Sequence, residues 1–130
     1  MKTFISYLTG IVLLIMLTSN ILSAQDWTKL NTDGRETLVD TTLLEAVIFT
    51  IEPGEKVGPM IHPKYFAYAF NGGKVKVHLP EGEPMVLEFD AGFSMFTGPE
   101  GPHMAENIGD KTVKFLLVEL KEHPYIAPKE

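Results

Sequence analysis

No cysteine occurs among the 130 residues. Disulfides, thiolate zinc sites, a cysteine nucleophile and a lipid-modified cysteine are all excluded, and stability must come from core packing. Serine is nearly as scarce. Beyond residue 24 the sole one is Ser94, in "GFSMF", which lacks the G-x-S-x-G pattern of a nucleophile elbow, so a serine triad is not expected. Basic residues are few, 11 Lys and Arg against 17 Asp and Glu, for a net charge of −6. That balance repels phosphate backbones and anionic membrane surfaces, and no basic patch interrupts it, so nucleic acid is not an expected partner. Long apolar runs are confined to one place: Phe4 to Leu17, preceded by Lys2 and followed by the more polar "ILSAQDW". A positive start, an apolar middle and a small residue before a polar continuation predict a secretory signal peptide over residues 1–24, cut after Ala24. The protein is therefore expected to be extracytoplasmic, periplasmic or secreted. The alternative is an uncleaved anchor over residues 4–22, a poor span because Ser6, Thr9, Gly10, Thr18, Ser19 and Asn20 interrupt it. With the signal cut, no stable membrane insertion is expected, and residues 25–130 suffice for one domain with one core.

Convincing helical periodicity is also missing after the signal. What replaces it is strand patterning between turns. "EAVIFTIEPG" is rich in β-branched and aromatic residues and stops at Pro53-Gly54. In "KYFAYAFNGGKVKVHLP" two apolar runs flank Asn71-Gly72-Gly73, which predicts a tight hairpin. Val75, Val77 and Leu79 alternate with Lys74, Lys76 and His78, the period of a half-exposed strand. "VKFLLVELK", residues 113 to 121, is the last strong strand, and the two prolines of "EHPYIAPKE" discourage further pairing. Many short strands between Gly and Pro turns predict an all-β sandwich or barrel.

Two glycine-anchored segments stand out, "GEKVGPMIHPKYFAYAFNGG" from Gly54 and "GFSMFTGPEGPHMAEN" from Gly92. Together they resemble the two motifs of the cupin superfamily, in which one motif supplies His-x-His and Glu and the other a third His. The resemblance spans about residues 43–121 and implies a single-domain cupin-type jelly-roll β-barrel. Counted from Gly54, the family's ligand places fall on Met60, His62 and Phe66; counted from Gly92, the remaining histidine and the asparagine fall on His103 and Asn107.

Residues two apart on a strand face the same side, so Met60 and His62 are expected to aim inward, where a second-motif ligand can meet them. A transition-metal site wants three or four nitrogen and oxygen donors, and only His62 and His103 survive of the four that the family uses. The expected function is a small-molecule binding or interaction module with a partly lost metal site. Its ligand pocket is expected to draw on Met60, His62, Phe66, Tyr68, Met95, His103 and Asn107. Another reading of Asn107 is a structural tie between its strand end and a loop. The alternative function is a metal-dependent dioxygenase or isomerase-like cupin using His62 and His103. The cofactor is left open between none, a divalent metal, and copper held softly by Met60 with the two histidines. Lys64 and Tyr65 are expected only at the rim, Glu106 on the surface, and His78 and His123 facing solvent. The resemblance further implies a homodimer through the outer sheets.

Overall fold

The computed structural model describes residues 34–129. The signal peptide expected over residues 1–24 lies outside them, as does Trp27. Nine strands carry the fold: β1 (Arg35–Asp40), β2 (Leu44–Ile51), β3 (Lys56–His62), β4 (Lys64–Ala69), β5 (Gly73–His78), β6 (Met85–Phe89), β7 (Ser94–Thr97), β8 (Glu100–Asn107) and β9 (Val113–Leu120). They form two antiparallel sheets, one in the order β1-β2-β9-β4-β7 and the other in the order β3-β8-β5-β6. Sequence neighbours fall in different sheets at β2/β3, β3/β4, β4/β5, β6/β7, β7/β8 and β8/β9. This is the crossing pattern of a jelly roll.

The core collects inward residues from both sheets: Val47, Phe49 and Ile51 of β2, Val57 and Met60 of β3, Tyr65 and Ala67 of β4, and Leu117 of β9. β2 and β9 sit at the middle of the larger sheet because both are apolar almost throughout, and they pair without interruption from Leu44↔Leu120 to Ile51↔Val113. A fully buried Val such as Val47 or Val113 contributes about 1.5–3 kcal/mol by leaving water. The sheet begins at Arg35, ahead of the 43–121 core expected from the motifs, because the polar "RETLVD" adds as an exposed edge strand on β2.

Both motif glycines sit where only glycine is comfortable. Gly54 has φ +77° and Gly92 φ +84°, left-handed conformations in the turns that lead into β3 and β7. The Gly54 N–H donates to the carbonyl of Asn107 at 2.9 Å, which fixes the start of the first motif to the end of the second.

Asn71-Gly72-Gly73 does not make the expected hairpin. β4 and β5 lie in different sheets, and neither Gly72 nor Gly73 takes a positive φ. Instead Asn71 anchors a crossover: its amide donates to the Thr112 carbonyl at 2.5 Å, and its Oδ1 accepts from the Lys114 N–H at 3.0 Å. Gly73 is required because a Cβ there would lie 2.5 Å from Val113 Cγ2.

Candidate functional site

Between the sheets lies a small chamber of about 120 Å³. It shares the walls Tyr65, Leu87, Phe93, Met95 and His103 with an outer cavity of about 960 Å³. The two read as one site with a floor and a mouth. The mouth widens on the β6 side, and this accounts for the exposure of Met85, Leu87 and Phe93, which line it.

His62 and Met60 reach the chamber from β3 as the two-residue spacing requires, with Ile61 between them exposed. His103 meets them from β8, where it registers against Met60. The two imidazole rings stand 5.1 Å apart between centroids, tilted by 46°. They are not hydrogen-bonded to each other. His62 pairs through Nδ1 with Glu119 Oε1 at 2.5 Å. Nδ1 of His103 donates to the Gly101 carbonyl at 2.9 Å, which fixes Nε2 as the acceptor in the neutral ring. Burial, only partly offset by that bond, lowers the His103 pKa and favours the neutral ring.

Glu119 carries no motif signal, yet it is 4% exposed and pivotal. Besides His62 it holds Arg35, whose Nη2 is 3.0 Å from Glu119 Oε2 and 2.7 Å from Glu45 Oε2. Burial pushes the Glu119 pKa up, but the hydrogen bond from His62 and the Arg35 guanidinium outweigh that and hold the carboxyl below its usual range. Strand parity was the available signal, since Val113, Phe115, Leu117 and Glu119 alternate on one face of β9. Glu100 was also missed. Its Oε2 accepts from the Tyr65 hydroxyl at 3.0 Å and lies 3.8 Å from His103 Nε2. No periodicity marks it, because it follows the irregular "TGP" at the very start of β8. Burial first, and then the Glu100 charge, raise the Tyr65 phenol far above its ordinary pKa, so it acts as a donor.

Two expected pocket residues face the wrong way. Phe66 and Tyr68 are each 38% exposed on the outside of β4, while Tyr65, Ala67 and Ala69 point inward. Pro63 separates β3 from β4, and this break shifts the inward parity by one residue. Tyr65, placed at the rim by sequence, therefore occupies the inner wall. Asn107 lines neither cavity. Fully buried, it donates to the carbonyls of Ile51 at 2.9 Å and Lys111 at 2.8 Å and accepts from Gly109 N–H at 3.0 Å, the structural tie that was its other reading. Met95 lines both cavities. Glu106, expected on the surface, and His78, expected to face solvent, pair with each other at 2.6 Å on a half-buried face.

Solved structures resemble this arrangement. A cupin domain from Bordetella pertussis Tohama I superposes with TM-score 0.62 at 20% identity, covering 67% of this chain and 91% of that one. The fold is that of a cupin domain. A Klebsiella pneumoniae protein with a double-stranded β-helix domain gives 0.56 at 22% identity, over 74% of this chain and 83% of its own. An RmlC-like cupin family protein from Methanocaldococcus jannaschii gives 0.55 at 17% identity, over 66% and 77%. Identities of this size carry the cupin fold and nothing finer. No family model matches the chain, and no curated protein matches it.

The cupin fold raises the question of a metal at the two histidines, and the donors do not fit a hard divalent ion. His62 and His103 offer two imidazoles, Met60 offers only a thioether, and Phe66 faces away. Among the described residues no group of three or more His, Cys, Asp or Glu is arranged to hold a metal ion.

Proposed function

We propose that the protein is an extracytoplasmic binding module that takes a small organic molecule into the cavity between its sheets. The observation that carries this reading is the cavity itself: about 960 Å³, walled mainly by apolar and aromatic side chains, with Tyr65, Glu100 and His103 converging at its inner end. Volume and lining of this kind suit a ligand whose body is desolvated by the walls and whose polar group is oriented by a few fixed partners. A compound panel read by thermal melting tests it, because a ligand that binds only the folded state raises the midpoint. Some compounds should raise the midpoint of the wild type and not that of Leu87→Trp, which fills the shared wall of both cavities. A panel that shifts neither protein would sink the reading.

Export rests on the Lys2, Phe4–Leu17 and Ala24 pattern. Protein collected outside the cytoplasm should start at Gln25, and a chain retained inside with Met1 intact would contradict it. Pairing with a second copy is proposed through the outer face of the five-stranded sheet. Two cross-strand rungs carry its apolar content, Ile48–Leu116–Tyr68, which ends in Glu36 and Ser94, and the wholly apolar Val39–Ala46–Val118–Phe66–Phe96. Such a face is larger and flatter than an isolated exposed side chain and suits a self-complementary contact.

A further inference from the structure

The cavity is asymmetric in charge. Among the described residues its ionisable lining is Glu81, Glu88, Glu100, His103 and two tyrosines, with no lysine or arginine. Glu88 has Lys74 at 3.3 Å. Glu100 has only the neutral hydroxyls of Tyr65 and Thr97, and no lysine or arginine ion-pairs with it among the described residues. Facing it is His103, its side chain 9% exposed, its Nδ1 proton committed to Gly101 and its Nε2 without a hydrogen-bond partner among the described residues. The 3.8 Å between His103 Nε2 and Glu100 Oε2 is too long for a hydrogen bond, so the inner end of the cavity presents two acceptors side by side.

From this geometry we infer that the ligand is an organic cation: a protonated primary or secondary amine on an apolar body. This deepens the proposed function and rests on it. An ammonium group has several N–H donors, so one nitrogen can donate to Nε2 of His103 and to Glu100 together while neutralising the carboxylate. A hydroxyl has one donor and leaves one acceptor unmet. An anionic group would meet three carboxylates, of which Glu88 alone has a lysine beside it among the described residues. The walls agree with the inner end, since the aromatic residues Tyr65, Phe89, Phe93 and Tyr125 line the same cavity, and aromatic rings attract cations. Tyr125 packs against Gly101, where a Cβ would lie 2.9 Å from its ring, so the glycine gives this tyrosine its place beside the acceptors.

Three probes of matched body test the inference by calorimetry at neutral pH: 2-phenylethylamine, 2-phenylethanol and 3-phenylpropanoate. The amine should bind at least roughly tenfold more tightly than the alcohol, as a charge-assisted pair outweighs a neutral one, and the carboxylate should bind most weakly. Glu100→Gln, which can still accept from Tyr65, should abolish the preference for amine over alcohol by weakening the amine much more than the alcohol. If that variant fails to fold, Tyr125→Leu at the cavity wall decides, by weakening the amine more than the alcohol. Equal binding of amine and alcohol to the wild type, or an amine preference that survives both substitutions, overturns the cation and leaves the pocket standing. If none of the three binds, the cation is overturned, while a midpoint shift from an unrelated compound would still uphold the pocket.

Discussion

Glu119 lies between His62 and Arg35 at the dry end of the site, so its charge is met by two partners rather than by water. Removing Glu119 leaves the buried His62 ring without its partner and Arg35 with Glu45 alone, which costs about 1–3 kcal/mol. Glu119→Ala should lose that much in urea unfolding at neutral pH. The folded-state pKa of Glu119 lies below its ordinary value of 4.5, so the unfolded chain binds the proton more readily. Its stabilisation is therefore complete above pH 4.5 and lost as pH falls through the folded value. Glu119→Gln should flatten the acid limb of the stability profile; a limb as steep as that of the wild type would show that another group governs it. His62 and His103 were legible because a count from a glycine-marked turn, in register with the two-residue period of a strand, locates each of them. Phe66 was misplaced because "YFAYA" is apolar at every position, so nothing in its pattern reveals the parity change at Pro63.

At the scale of elements, Asn107 joins the end of β2, the end of β8 and the turn into β9 through a single side chain. Its replacement leaves two carbonyls and one N–H short of partners in a buried place, at about 1–3 kcal/mol for each that water does not reach. Asn107→Ala should lower stability by at least ~2 kcal/mol and, because it lines neither cavity, leave ligand affinity within about twofold in folded protein at low temperature. A change in affinity as large as the change in stability would contradict the separation of tie from pocket. Strand identities were readable for β2, β4, β5 and β9, whose composition is distinctive. Partnership was not: a hairpin and a sheet-to-sheet crossover use the same Asn-Gly-Gly letters, and only the burial of Val113 against Gly73 decides between them. β1 escaped notice because an edge strand needs neither alternation nor apolar content.

For the whole molecule, the outward turn of Phe66 and Tyr68 has a larger effect than the loss of two pocket residues. With Leu116, Val118 and Phe96, they give the five-stranded sheet an apolar outer surface. Light scattering on purified protein should return twice the chain mass. Phe66→Glu, which sets a charge in the middle of one rung, should return the monomer without lowering the affinity of the cavity. A monomeric wild type at every accessible concentration would remove the dimer. The all-β class and jelly-roll plan were readable from turn spacing and the two motifs, since both depend on local chemistry repeated along the chain. The width of the cavity was not, because it depends on how far β6 stands from the opposite sheet.

Among the described residues β6 hydrogen-bonds to one neighbour, β5, and its residues from Met85 to Glu88 are exposed. Strands with so little buried area unzip at lower free energy than central ones. Backbone amides of β6 should therefore exchange with deuterated solvent well ahead of those in β2 and β9, and a bound ligand that rests on Leu87 should slow them. Occupancy of the cavity would then be written in the exchange rate of one edge strand, since a guest seated on Leu87 holds β6 against β5 for as long as it stays.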